Sequence, residues 1–325
     1  MIISERLGFM RKGGLIIGAL GAAAAVFAGG IGYFYELSVP RDSKVTKKKD
    51  PNVWSDDPDK QAKYEEAKEW LDGVEKEDCE IRSFDGLKLH AVLIPAEKET
   101  QVTVILVHGY RASGFKDFGF MLPFYHKLGV NILMVDDRGH GKSQGDYVGF
   151  GWHDHFDVER WIKYITVRFG DNSEIFLHGV SMGAATVMLT SGDDLPEQVK
   201  GIIEDCGYST LDGQLKYNLD TQFHIPTKPV INAVSAVTKQ KNGYSFEQCN
   251  SIEALKNANV PFLFIHGDKD GFVPTSMVYE NFNACASEDK TLILVEGADH
   301  AESYYVNPSL YEEAVTKFIK DHSDI

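Results

Sequence analysis

Ile175–Gly183, with the sequence IFLHGVSMG, predicts a buried strand that turns sharply into a helix. Gly179–Gly183 is a G-x-S-x-G pentapeptide, and the apolar residues Ala184–Leu189 after it suit a helix. A nucleophile elbow requires this strand–turn–helix context, with Ser181 at strained backbone angles and flanking glycines that remove clashing Cβ atoms. The pentapeptide alone also fits an ordinary glycine-rich turn before a helix, so features elsewhere in the chain have to distinguish a nucleophile elbow from such a turn.

The body of the chain alternates apolar strand-like runs with helical segments. Strands are predicted at Cys79–Phe84, Leu87–Ile94, Thr103–Val107, Asn131–Val135, Gly201–Glu204, Pro261–Ile265 and Thr291–Val295, and helices at Phe118–Leu128, His153–Phe169 and Tyr311–Ile319. This alternation predicts an α/β fold with a mostly parallel, twisted sheet and helices on both faces. Ligands bind such sheets at the carboxyl ends of the strands, where the polar motifs of this chain lie.

The segment between Glu204 and Pro261 is too long for a simple crossover and predicts a helical cap at about residues 207–258. Ser209–Tyr217 and Pro229–Val237 have helical character. Candidate pocket residues are Tyr208, Tyr217, Phe223, Val230, Ile231 and Val234. Each of them also fits an ordinary core helix.

A serine nucleophile needs a histidine base, and the base needs a carboxylate that orients it. His300 follows the last predicted strand, and either Asp268 or Asp270 follows the strand before it. The order serine, aspartate, histidine along the chain is that of strand–turn–helix serine hydrolases. We therefore expect Ser181 and His300 to act together, with Asp270 as the carboxylate and Asp268 as its rival.

An oxyanion hole needs two N–H groups directed at the developing negative charge. The first candidate is the backbone N–H of Met182, directly after the nucleophile. The second is that of Tyr110, in the turn that follows the strand Thr103–Val107.

Several motifs together resemble the α/β-hydrolase superfamily, in particular the serine aminopeptidase S33-like or BEM46-like proteins. The resemblance covers about Cys79 to Ile319 and rests on His108-Gly109, Asp137–Ser143 (DRGHGKS), Gly179–Gly183, His266–Pro274 (HGDKDGFVP) and Gly297–His300 (GADH). It implies an α/β-hydrolase fold, a Ser/Asp/His hydrolase with Asp270 as the acid, and no metal or organic cofactor. It leaves the substrate open, because related proteins include carboxylesterases, peptidases, lipases, thioesterases and inactive members.

The N-terminal region predicts a membrane anchor. Residues 1–12 form a tail, and the uncharged stretch Gly13–Tyr35 is long enough to span a bilayer. A cleaved signal peptide is the alternative, because Val26-Phe27-Ala28 resembles a cleavage site. Residues 36–55 are predicted to be a linker and residues 56–325 the hydrolase domain. We expect a single-pass protein with its catalytic domain outside the cytoplasm.

Charge and cysteine content narrow the function classes. The net charge is −15 and concentrates in the body of the chain, which disfavours nucleic acid as a partner. Four scattered cysteines lack zinc-site spacing, and Cys206 is expected to be a buried free thiol.

These features together predict a membrane-anchored serine hydrolase that cleaves carboxylic esters through an acyl-enzyme on Ser181. A serine peptidase is the first alternative, with Glu204, Asp205 or Asp212 as candidate acids for a substrate amino terminus. A non-catalytic ligand-binding protein on the same fold is the second. The expected partners are a small ester or peptide and the membrane, and the oligomeric state stays open.

Overall fold

A computed structural model describes residues 29–43, 45, 55–222 and 227–325. Its centre is an eight-stranded sheet with the order β1-β2-β4-β3-β5-β6-β7-β8. The strands are β1 (Glu77–Arg82), β2 (Lys88–Ile94), β3 (Val102–Val107), β4 (Asn131–Val135), β5 (Glu174–Val180), β6 (Val199–Asp205), β7 (Phe262–Gly267) and β8 (Lys290–Val295). β2 runs antiparallel to both neighbours, and all other pairs are parallel.

Helices cover both faces of this sheet. They are α1 (described over residues 29–38), α2 (Pro58–Gly73), α3 (Gly114–Phe118), α4 (Leu122–Leu128), α5 (Trp152–Phe169), α6 (Met182–Thr190), α7 (Leu211–Gln222), α8 (Thr227–Asn242), α9 (Ser251–Leu255), α10 (Ser276–Ala284), α11 (Ser303–Val306) and α12 (Pro308–Asp321). Two hydrophobic clusters, one on each face, bury alternate residues of β3 against these helices. β3 is buried over its whole length, as its continuous apolar run predicts.

The predicted α/β architecture and the β1–β2 hairpin are confirmed, with Gly86 at φ +89° in the hairpin turn. The single helix predicted over residues 118–128 is wrong. α3 ends at Phe118, a 3₁₀ turn spans Gly119–Met121, and α4 begins beside Pro123. Proline suits the first turn of a helix but not its interior, so it starts α4 rather than extending α3.

The cap predicted between β6 and β7 contains α7 and α8, followed by a 3₁₀ turn and α9. Val230, Ile231 and Val234 of α8 are buried in a third hydrophobic cluster with Tyr208 and Leu211. This cluster lies above the carboxyl ends of the central strands and includes Met182 of the elbow. The cap therefore covers the edge of the sheet where ligands are expected.

The predicted tail and most of the predicted anchor, residues 1–28, lie outside the described residues. No helix in the described ranges combines the length and the apolar character needed to cross a bilayer. The end of the uncharged stretch forms α1, and its Tyr35 is buried and donates a hydrogen bond to Asn242 at 2.8 Å. The start of the predicted linker also contacts the hydrolase domain, because Pro40 forms a β-bridge with Tyr147.

Candidate active site

The turn between β5 and α6 has the geometry that its sequence predicts. Ser181 has φ +57° and ψ −114°, a strained conformation for a residue with a side chain. A Cβ on Gly179 would lie 2.2 Å from the Gly183 carbonyl oxygen, and a Cβ on Gly183 would lie 1.9 Å from that of Val107. Only glycine therefore fits at both positions, and the turn can pass this close to β3.

Three side chains from three strand ends form one hydrogen-bonded chain. The Ser181 Oγ lies 2.9 Å from His300 Nε2, and the His300 Nδ1 lies 2.8 Å from Asp270 Oδ2. Asp270 follows β7 and His300 follows β8, so both loops reach the elbow across neighbouring parallel strands. This arrangement can transfer the serine proton to the imidazole while the carboxylate orients the ring.

The rival carboxylate Asp268 has a different position. Its Oδ1 accepts the Gly297 N–H at 2.6 Å and thereby ties the β7 loop to the β8 loop. The Asp270 Oδ1 instead accepts the N–H groups of Phe272 and Val273. Burial alone would raise the pKa of Asp270, but hydrogen bonds from His266 and His300 outweigh it and hold the pKa well below its usual range. Asp270 is therefore ionised at neutral pH.

In the turn after β3, the residues on both sides of Tyr110 have backbone N–H groups that already donate hydrogen bonds. Gly109 donates its N–H to Asp117 Oδ2 at 2.6 Å, and Arg111 donates its N–H to His140 Nε2 at 3.1 Å. Burial lowers the pKa of His140 to about 3, so its neutral ring can accept this bond. The turn is thus fixed on both sides of Tyr110.

The Met182 N–H is the first of α6, where no preceding helical turn supplies a carbonyl acceptor. This position at a helix N-terminus also favours negative charge. The two backbone groups predicted as oxyanion donors therefore belong to two elements that β3 and β5 hold side by side.

Two residues of the site were missed in the sequence. Asp117 lies eight positions after Gly109 and holds the β3 turn, but no motif connects the two. His266 Nε2 lies 3.3 Å from Asp270 Oδ2, so two imidazoles contact one carboxylate oxygen. The spacing of four residues between His266 and Asp270 was the available signal, since a strand end followed by a tight loop brings such positions together.

Two cavities meet at Ser181. The polar cavity, of about 400 Å³, borders His300 and Asp117 and also includes Lys60, which forms an ion pair with Glu302. The apolar cavity, of about 310 Å³, lies between the elbow and the cap. Of the candidate pocket residues, Tyr208, Val230, Ile231 and Val234 line the apolar cavity, whereas Tyr217 does not, and Phe223 lies outside the described residues.

The acidic residues predicted for a substrate amino terminus are not brought to either cavity. Glu204 and Asp205 are buried in β6 below the site, where burial raises their pKa values to about 8 and about 6. Asp212 lies on α7 and does not line the cavities. The carboxylates that do line the polar cavity are Asp117 and Glu302.

In the described part of the chain, Cys206, Asp270 and His300 are the one group whose side-chain atoms converge within 4.8 Å as metal ligands would. Asp270 and His300 are bound to each other, and burial raises the pKa of the Cys206 thiol well above its usual value. A protonated thiol is a poor metal ligand, so this donor set does not suit a cation. All four cysteines are buried and free.

Comparisons with known proteins agree with this fold. Residues 98–208 match the family model for serine aminopeptidase S33. The chain is 27% identical over 256 residues to the uncharacterized protein YqkD of Bacillus subtilis, covering 75% of this chain and 83% of that protein. It is 22% identical to the protein bem46 of Schizosaccharomyces pombe, covering 67% and 68% of the two chains. The chain is thus similar to BEM46-like proteins and has the α/β-hydrolase fold.

Solved structures show the same fold over about three quarters of the chain. The esterase Pf2001 of Pyrococcus furiosus superimposes with a TM-score of 0.64 at 23% identity, covering 77% of this chain and 92% of the esterase. At this identity the likeness concerns the fold, and the activity has to be argued from the site itself.

Proposed function

We propose that this chain is a serine hydrolase that cleaves carboxylic esters through an acyl-enzyme on Ser181. The observation that carries the proposal is the continuous hydrogen-bonded chain from Ser181 through His300 to Asp270 at the meeting point of two cavities. A buried ionised carboxylate, a histidine and a strained serine in contact are what acyl transfer requires.

In the proposed mechanism, the His300 Nε2 removes the proton from Ser181 Oγ as this oxygen attacks the ester carbonyl. The backbone N–H groups of Met182 and Tyr110 donate hydrogen bonds to the resulting oxyanion. Protonated His300, stabilised by Asp270, then gives its proton to the leaving alcohol. A water molecule activated by His300 hydrolyses the acyl-enzyme and restores Ser181.

A serine peptidase is the second candidate, and the match of residues 98–208 to the serine aminopeptidase model favours it. The ester is preferred here because the cavity beneath the cap is lined mainly by carbon. Among the described residues that line it, Arg111 is the one with a charge, and its guanidinium donates to the Pro40 carbonyl and the Tyr110 hydroxyl. Rates on matched acyl esters and aminoacyl amides separate the two candidates.

The deciding experiment uses a fluorophosphonate probe, which labels activated serines, on the full chain. We expect the parent and the exposed control Ser309→Ala to label, and Ser181→Ala and His300→Ala to lose labelling. A folded parent that neither labels nor hydrolyses any ester would contradict the proposal and favour a non-catalytic binding protein.

The proposal includes a single-pass anchor within the stretch Gly13–Tyr35, whose last residues Phe34 and Tyr35 contact the hydrolase domain instead, with the catalytic domain outside the cytoplasm. Its support is the absence of charge over these 23 residues, with Arg11 and Lys12 directly before them. Extraction with alkaline carbonate tests the anchor, because an anchored chain stays with the membranes. Protease digestion of intact cells tests the side, since an exported domain is cleaved.

A further inference from the structure

The apolar cavity has a wall that comes from outside the cap. Phe34, Leu37 and Ser38 of α1 line it together with α7 and α8. These three residues are separated by more than a hundred positions from Ser181, which borders the same cavity. We call residues 34–41 the N-terminal wall.

Backbone pairing holds the N-terminal wall on the domain. Val148 donates its N–H to the Val39 carbonyl at 2.8 Å, and Arg41 donates its N–H to the Asp146 carbonyl at 2.9 Å. Val39 is fully buried, so this pairing encloses apolar surface as well. The wall is therefore an added edge of the domain rather than a segment that only passes over it.

Side chains of the β3 turn also bind the wall. The Tyr110 hydroxyl donates to the Ser38 carbonyl at 2.9 Å, and the Arg111 Nη2 donates to the Pro40 carbonyl at 2.7 Å. The Arg111 Nε also donates to the Tyr110 hydroxyl at 2.8 Å. The wall is thus connected to the same turn that carries a proposed oxyanion donor.

We infer that the apolar cavity is the acyl-chain subsite and that Phe34 and Leu37 of the N-terminal wall determine which chain lengths it accepts. The inference rests on the proposed ester hydrolysis and names the acyl group as the part of the substrate that enters this cavity. At roughly 30 Å³ for each water-sized group, a cavity of about 310 Å³ has room for roughly ten such groups. This volume suits a medium-length alkyl chain.

The chemistry of the lining supports an unbranched apolar occupant. Leu215 and Leu219 of α7 line the cavity together with Phe34 and Leu37, and Ile231 lines it from α8. Each methylene moved from water into such surroundings gains about fourfold in binding. The polar cavity on the other side of Ser181 is left for the alcohol part of the ester.

The test compares the hydrolysis of p-nitrophenyl octanoate and p-nitrophenyl acetate by the full chain. Leu37→Trp fills the cavity, so we expect the ratio of kcat/KM for octanoate over acetate to fall at least tenfold. Tyr33→Trp is the matched control, because Tyr33 is 48% exposed on the same helix and does not line the cavity. An octanoate-to-acetate ratio equal in both variants would overturn the inference.

Two further measurements keep this result separate from the proposed function. If Leu37→Trp does not fold, Phe34→Ala takes its place, and the octanoate-to-acetate ratio should again fall because contacts are lost. If the parent is inactive, calorimetry measures the binding of octanoic acid to Ser181→Ala. We expect octanoic acid to bind this variant and not to bind the double variant Ser181→Ala/Leu37→Trp. No octanoate binding would overturn the inference, whereas an inactive parent that binds octanoate contradicts only the catalytic proposal.

An acyl chain can come from a soluble ester or from a membrane lipid. The same pair of variants is therefore assayed with monomeric p-nitrophenyl octanoate and with dioctanoyl phosphatidylcholine carried as a minor component of dioleoyl phosphatidylcholine vesicles. A loss of octanoyl ester hydrolysis in Leu37→Trp but not in Tyr33→Trp supports the subsite. The assay in which this loss occurs identifies the source of the acyl chain. Equal rates for both variants in both assays contradict it.

Discussion

The two cavities that meet at Ser181 are built in opposite ways. The polar side is assembled mainly from loops that follow β3, β5, β7 and β8, with Lys60 and Tyr64 added from α2. Ser181, His300 and Asp117 each have a defined hydrogen-bond partner there. The apolar side is assembled from α1, α7 and α8, which are distant in sequence and contribute mainly carbon. Reaction chemistry and substrate choice therefore reside in largely separate parts of this molecule, and Tyr110, which lines both cavities, connects them.

The largest expected effect is on the polar side. Asp270→Asn keeps the size of the side chain but removes the charge that orients and stabilises protonated His300, so kcat should fall about 10⁴-fold. Asp268→Asn is the matched control and should change kcat by less than about tenfold, since the Asp268 carboxylate binds the Gly297 N–H and Lys269 rather than His300. Steady-state kinetics measure both, and similar losses in the two variants would reverse the assignment of the acid.

A smaller loss is expected at the β3 turn. Asp117→Ala removes the acceptor of the Gly109 N–H and loosens the turn that carries Tyr110, so kcat should fall about 10–100-fold. Asp117→Asn should recover most of this loss, because an amide oxygen can accept the same bond. The exposed Asp194→Ala is the control. A change in KM alone would mean that Asp117 acts on substrate binding instead.

The buried carboxyl of Glu204 should make stability depend on pH. Burial raises its pKa from 4.5 to about 8, so the folded state holds a proton that the unfolded chain releases above pH 4.5. The contribution of Glu204 to the free energy of unfolding is therefore fully present below pH about 4.5 and is lost as the pH rises to about 8, by at most about 5 kcal/mol.

Glu204→Gln should remove this pH dependence while it still accepts the Gly207 N–H. Urea unfolding of the parent and the variant at several pH values measures the difference. The exposed Glu313→Gln should follow the parent at every pH. A difference between parent and Glu204→Gln that does not grow between pH 5 and 8 would show that Glu204 is ionised in the folded state.

The smallest expected effect concerns Tyr110, which lines both cavities. Tyr110→Phe keeps the backbone N–H but loses the hydrogen bond from the hydroxyl to Ser38, worth about 1 kcal/mol. The octanoate-to-acetate ratio should therefore fall about fivefold because the N-terminal wall is less firmly held. An unchanged ratio would indicate that backbone pairing at Val39 is sufficient to hold the wall, and the two sides would then be independent.

Sequence patterns could predict the sheet and the strand ends, because both depend on short-range rules. A buried strand is a local apolar run, and the residue that follows it must lie at the sheet edge. Ser181, Asp270 and His300 are all close to such strand ends, and the structure brings them into contact.

The cap residues Tyr208, Val230, Ile231 and Val234 were predicted for the apolar side, but the wall that α1 adds to it could not be predicted in the same way. Phe34 and Leu37 have the same apolar character whether they face a bilayer or a cavity, so their sequence cannot distinguish the two. Asp117 was missed because its bond to Gly109 depends on how α3 packs against the β3 turn. Helix α10 was missed because no capping side chain marks its start.

The position of the N-terminal wall has a consequence for proteolytic processing. Cleavage after Ala28, the alternative to an uncleaved anchor, would leave Phe34 and Leu37 in place, so a released enzyme would keep its substrate preference. Trimming beyond Arg41 would remove the wall and leave Ser181, His300 and Asp270 untouched. A protease acting a few residues further along the chain would therefore produce a less selective hydrolase instead of an inactive one.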